Sequence, residues 1–136
     1  MLKSIFLSLW TLLVVASWAW ALPPVDVQEG EWEFNVTSEI SGMAMQMPPM
    51  TYKQCITGND PVPESAQPGQ ECETRDVNVS GNKVTWTIHC KSPEGEITGR
   101  GRATYEKQSM QGTMTLNVQG MEMINSYKGR RVGPCP

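Results

Sequence analysis

From residue 30 onward, apolar and polar residues alternate with a period of two, and no stretch carries a helical stripe. Successive side chains of a strand point to opposite faces, so this pattern builds strands with one buried and one wetted face. Trp32, Phe34, Val36 and Ile40 share one parity, and Glu31, Glu33, Asn35 and Glu39 share the other. After a turn signal at Ser41-Gly42, the residues Met43, Met45 and Met47 resume the alternation, and Pro48-Pro49 interrupts it. Residues 51–56 read as another strand. Residues 57–70 hold Gly58, Pro61, Pro63, Pro68 and Gly69 with little apolar content, and read as a long loop.

In the second half, turns fix registers. A two-residue turn at Gly81-Asn82 sets Val79 against Val84 and Val77 against Trp86. A turn over Ser92-Pro93-Glu94-Gly95 sets Cys90 against Ile97, Ile88 against Gly99 and Trp86 against Gly101. A turn at 106–109 sets Tyr105 against Met110, Ala103 against Gly112, Gly101 against Met114 and Gly99 against Leu116. Gln119-Gly120 then sets Val118 against Met121, Leu116 against Met123 and Gly112 against Tyr127. Each register keeps the apolar sides together, although a slip of one residue would send the apolar set to the other face. Gly101, between Trp86 and Met114, makes room for a large neighbour, and Tyr127 is placed to cover Gly112. The expected fold is all-β: an antiparallel meander of about seven or eight strands, curved into a sheet or a small open or closed barrel. A flat sheet would leave its apolar face wet.

The first residues follow another logic. Lys3, an apolar run over residues 5–15 and Ala19-Trp20-Ala21 read as a signal peptide over residues 1–21, followed by a single all-β domain over residues 22–136. The run is short for a membrane span, and nothing after it is apolar enough to cross. Losing Lys3 makes the domain one unit more negative than the −3 of the whole chain, a poor balance for binding nucleic acid. The one local basic cluster, Lys128, Arg130 and Arg131, reads as a solvated chain end.

Four cysteines, Cys55, Cys72, Cys90 and Cys135, all follow the signal segment. An even count in an exported small domain reads as two disulfides, with three possible connectivities. C-x-x-C spacing is absent and His89 is the only histidine, which disfavours a zinc site. The Gly81-Asn82 hairpin brings residues 72 and 90 together, so Cys72–Cys90 and, by elimination, Cys55–Cys135 are expected. The register sets Glu73 rather than Cys72 opposite Cys90, so this bond needs a bulge or strand end near Glu73.

Several segments carry a resemblance: Gly30-Glu31-Trp32-Glu33, then the run from Gly42 through Met43-Ala44-Met45-Gln46-Met47 to Pro48-Pro49, Tyr52-Lys53-Gln54-Cys55, and Val79-Ser80-Gly81-Asn82. Trp86-Thr87-Ile88-His89-Cys90, Gly99-Arg100-Gly101, Gly112-Thr113-Met114 and the ending Gly129-Arg130-Arg131-Val132-Gly133-Pro134-Cys135 continue it. In this order they resemble the bacterial exported-protein family called domain of unknown function 3617. The resemblance implies a periplasmic or secreted protein, and brings no catalytic residues with it. No lipobox cysteine lies near Ala21.

The methionines are the most unusual feature. Met43, Met45, Met47 and Met50 lie within eight positions, and thioethers are soft ligands suited to Cu(I) or Ag(I). The parity of Met43, Met45 and Met47 continues that of Ile40, so a hairpin would set Met43 against Ile40 and Met47 against Val36. The segment is therefore expected to fill the core or form an apolar contact surface, with copper as the rival cofactor. Met110, Met114, Met121 and Met123 also fall at core positions. His89 falls on the polar face, as do the paired carboxylates Glu31 and Glu33, whose acid–base use is a weaker reading than solvated charge. No G-x-S-x-G segment or phosphate loop is present. The expected function is a non-catalytic binding module for a small apolar ligand or an envelope partner. The alternatives are the methionine copper site and a hydrolase whose site the sequence does not reveal.

Overall fold

The structure, a computed structural model, describes residues 26–64 and 70–136. The signal peptide expected over residues 1–21 lies outside the described residues. Seven strands follow one another: β1 (Gly30–Ile40), β2 (Met50–Ile56), β3 (Glu71–Ser80), β4 (Lys83–Ser92), β5 (Gly95–Glu106), β6 (Ser109–Val118) and β7 (Met121–Gly133). They form one antiparallel sheet in the order β2-β1-β7-β6-β5-β4-β3, so β3 to β7 are a meander and β7 returns beside β1. The edges β2 and β3 do not pair with each other, and the sheet is a curled half-barrel.

The turn-derived registers hold through β4 to β7. Trp86 pairs Gly101, Gly101 pairs Met114, Tyr105 pairs Met110 and Leu116 pairs Met123. Gly81 has φ +61°, and Gln119 and Gly120 have φ +53° and +82°, the left-handed backbone that short hairpin turns require. One register differs. Between Arg75 and Asn78 the β3–β4 pairing shifts by a residue, leaving Asp76 and Val77 together opposite Trp86. Asp76 is the turning point, with φ +52° and its carboxylate accepting a hydrogen bond from the Thr87 hydroxyl at 2.8 Å. Past this bulge Cys72, not Glu73, faces Cys90, and the two form a disulfide. The second disulfide joins Cys55 on β2 to Cys135 after β7, reaching past β1, which lies between those strands.

Curvature is visible in one contact. Trp32 on β1 and Tyr105 on β5 are separated by β7 and β6, about 14 Å along a flat sheet at the usual strand spacing. Their ring centroids are 5.4 Å apart, edge to face. Phe34, Val84, Met110 and Met114 fill the same core and are almost wholly buried. Flat rings over side-chain-free positions allow the tight packing. The Trp86 indole lies where a Cβ on Gly101 would sit, and the Phe34 ring does the same at Gly129. Tyr127 pairs with Gly112 as expected, but the atoms nearest a Cβ there are the Arg102 carbonyl and Ala103, so backbone approach rather than the tyrosine ring crowds that glycine.

The connection after β2 does more than span the two edges. Pro61 and Pro63 are buried, and the Pro61 carbonyl accepts a 2.6 Å hydrogen bond from the Tyr105 hydroxyl. Gln54 donates to the Val62 carbonyl and accepts from the Glu64 amide, and the Tyr52 hydroxyl donates to the Glu64 carbonyl. Proline brings no amide N–H into the interior, so a proline-rich segment can be buried with fewer donors to satisfy. Residues 57–64 thus plug one end of the half-barrel, a role their sparse apolar content concealed.

Two outcomes follow from this packing. Gly101→Ala is expected to destabilise the protein by about 1–3 kcal/mol in urea unfolding, because the Trp86 ring must leave its rotamer. The exposed Thr115→Ala should stay within about 0.5 kcal/mol of the parent. Equal midpoints for the two variants would contradict the ring's placement. Burial pushes the phenols of Tyr52 and Tyr105 well above their ordinary value, with nearby Tyr127 and Glu64 adding for Tyr52 and Asp60 for Tyr105. A raised folded-state pKa means the native state holds protons that the unfolded chain releases. Stability is therefore complete below about pH 10 and falls as the pH rises beyond it. Urea midpoints at neutral and alkaline pH should show that fall, and it should shrink in Tyr52→Phe and Tyr105→Phe.

Candidate functional site

The inward positions stack into rows across the sheet, and the rows are not equally filled. The end that holds Trp32, Phe34, Tyr105 and the proline plug is solid. Toward the other end, Ile40, Met123, Leu116, Gly99 and Ile88 form one row, and Met121, Val118, Ile97 and Cys90 the next. The Leu116 and Ile88 side chains close over Gly99, and the turns at 92–95 and 119–120, linked by the Gln119 amide donating to the Glu94 carbonyl, rim this end. Between them lies a cavity of about 450 Å³, with Ile88, Ile97, Leu116, Val118 and Met123 in its aliphatic wall, Ser38, Met47 and Asn125 beside them, and Glu94, Glu96 and Gln119 at its mouth.

Asn125 is the anomaly. It sits on β7 between Ser38 of β1 and Met114 of β6, in an inward position. Its side-chain amide oxygen is buried and has no hydrogen-bond partner among the described residues. A buried acceptor left unpaired costs about 1–3 kcal/mol, so it calls for an explanation. The same cross-strand row continues through Met114 and Gly101 to Trp86, whose indole N–H is also buried without a partner. This row marks the boundary between the solid and the hollow half. The sequence carried a signal for it: Ser38 shares the parity of Val36 and Ile40, and Asn125 that of Met123 and Tyr127, while the apolar Ile124 takes the outward position.

A larger hollow, about 520 Å³, lies over Asp76, Thr85, Arg100, Arg102 and Thr113 on the outward face. The convex side of a curled sheet cannot surround a ligand, so the inner cavity is the better candidate.

The methionines expected to fill the core do not. Met43, Met45, Met47 and Met50 are 53%, 63%, 40% and 53% exposed, and Met121 is exposed as well, whereas Met110 and Met114 are buried. The expected pairing of Met47 with Val36 is also replaced. Val36 pairs Met50, the Met47 amide donates to the Ser38 carbonyl, and Gln46 bridges Glu39. The Met43 amide does close the turn onto the Ile40 carbonyl. Beyond this segment the sheet has no further strand among the described residues, and its side chains stay exposed.

The remaining candidates are placed apart. His89 is exposed on the outer face between Glu73 and Thr98. Glu31 pairs with Lys53 at 4.0 Å and Glu33 with Arg130 at 2.8 Å, exposed bridges of small energetic weight. Arg131 donates to the Glu29 carbonyl, so the terminal basic cluster is partly engaged within the fold. All four cysteines are in disulfides, and none offers a nucleophilic thiol.

A family model described as "Protein of unknown function (DUF3617)" matches residues 27–135. No curated protein and no solved structure matches the chain.

Proposed function

The chain belongs to the DUF3617 family, and we propose that it is a non-catalytic binding domain that holds a small, mostly apolar ligand in the open end of the half-barrel. The unpaired amide oxygen of Asn125 beside a cavity of about 450 Å³, aliphatic on its inner wall and carrying Gln70, Ser92, Glu94, Glu96 and Gln119 around its mouth, carries this reading. Such volumes are typical of small-molecule sites, which combine apolar walls with a few placed polar groups. Turned toward the hollow by a side-chain rotation, this acceptor selects a ligand whose inner end donates a hydrogen bond, such as a hydroxyl, and whose aliphatic remainder lies along Ile88, Leu116 and Met123. The two disulfides support an oxidising compartment, periplasmic or extracellular. In an aqueous envelope such a domain sequesters or carries a molecule of low solubility.

Calorimetric titration with a medium-chain primary alcohol and with its methyl ether tests the proposal. The alcohol should bind more tightly, by about 1–3 kcal/mol for a buried hydrogen bond. Asn125→Leu should remove that preference and at the same time raise the urea midpoint of the ligand-free protein, since it deletes an unsatisfied buried acceptor. No binding of either compound, or equal affinity for both in the parent protein, would overturn the proposal.

A further inference from the structure

We propose that Met45, Met47 and Met50, with Met43 beside them at the turn, form a binding site for a soft monovalent cation, Cu(I) or Ag(I), on the exposed edge next to β1. The site shares Met47 with the margin of the cavity, but the inference rests on the exposure and spacing of the methionines and not on the ligand proposed above. Exposure removes core filling as an explanation of these residues and leaves them as a sulfur-rich apolar surface.

Register places them. Gln46 bridges Glu39 and the Met47 amide binds the Ser38 carbonyl, which sets Met45 and Met47 along the edge beside Ile40 and Ser38. Met50 follows beside Val36, with Pro48-Pro49 taking up the extra length. Residues two apart in extended chain stand about 6.6 Å apart on one side. Methionine side chains are unbranched and flexible, so sulfurs spaced this way can converge on one ion. The backbone is already held by the bridge, by the Met47 and Met43 amide bonds and by the β1–β2 ladder, which limits the ordering cost of assembling the ligands.

Chemistry narrows the ion. Residues 41–50 carry no charge and no histidine or cysteine, so the segment offers thioethers and almost nothing harder. Thioethers favour Cu(I) and its analogue Ag(I), whereas carboxylates and water suit Ca²⁺ and Mg²⁺, and imidazole suits Zn²⁺. His89 stands on the opposite, outward face and takes no part.

Titration of the purified, disulfide-intact protein with Ag(I), read by calorimetry and by competition with a chromophoric Cu(I) chelator, tests the site. Stoichiometric binding is expected, with X-ray absorption of the Cu(I) form showing sulfur neighbours. Replacing Met43, Met45, Met47 and Met50 together by Leu should abolish binding while the far-UV dichroism and urea midpoint stay near those of the parent. His89→Ala should leave binding unchanged. Absence of binding to the parent, binding that persists in the quadruple variant, or loss of binding in His89→Ala would each overturn the assignment. If the quadruple variant fails to fold, Met45→Leu and Met47→Leu made singly must each weaken binding, and unchanged affinity in both overturns it equally.

Discussion

A seven-stranded sheet with one apolar face, whose two edges never pair, must cover that face with something. Here it covers it with itself. The Trp32–Tyr105 contact closes a span of three strand spacings, so the two rings act as the keystone of the curl. Burial of large aromatic area drives the closure, and the edge-to-face arrangement suits the ring quadrupoles. The loop after β2 completes the seal by carrying prolines into the gap and giving the Tyr105 hydroxyl a carbonyl partner. The disulfides hold opposite margins of the sheet: Cys55–Cys135 joins an edge strand to the chain end, and Cys72–Cys90 staples the other edge strand to its neighbour.

The cavity follows from where side-chain volume is spent. Aromatic rings occupy the inward rows near the proline plug, whereas the far rows receive aliphatic residues, of which Leu116, Val118 and Met123 stay partly exposed. Both rows obey the same alternation, so the strands form equally well at either end. Only the filling differs. The boundary between them carries the two buried polar atoms without partners, which a fold optimised for stability alone would have replaced by carbon.

Much of this architecture was legible in the residues. Turn chemistry at Gly81-Asn82, 92–95, 106–109 and Gln119-Gly120 fixed four registers, and three survived over their whole length because consecutive hairpins leave little freedom to slip. The β3 register changed midway, since a left-handed Asp76 admits a bulge that hairpin counting cannot place. The pairing of β7 with β1 was not legible, because no short turn joins them. Of the two expectations for the methionine segment, core or apolar contact surface, core filling fails for a related reason. Parity tells which side of a strand a residue takes, but not whether a neighbour lies above it, and at a sheet edge none does. Asn125 shares the parity of Met123 and Tyr127, but one polar residue in an apolar row leaves the period-two pattern intact and carries no signal of its own.

The proposed site divides the half-barrel into a solid end and a hollow that takes the ligand. Backbone and methyl NMR spectra of the disulfide-intact protein, recorded during titration with a medium-chain primary alcohol, address it residue by residue. Shifts are expected only at the open end, at Ile88, Ile97, Leu116, Met123 and Asn125, with Trp32, Phe34 and Tyr105 unmoved. Shifts centred on Trp32 and Tyr105, or spread over the convex threonine face, would contradict it.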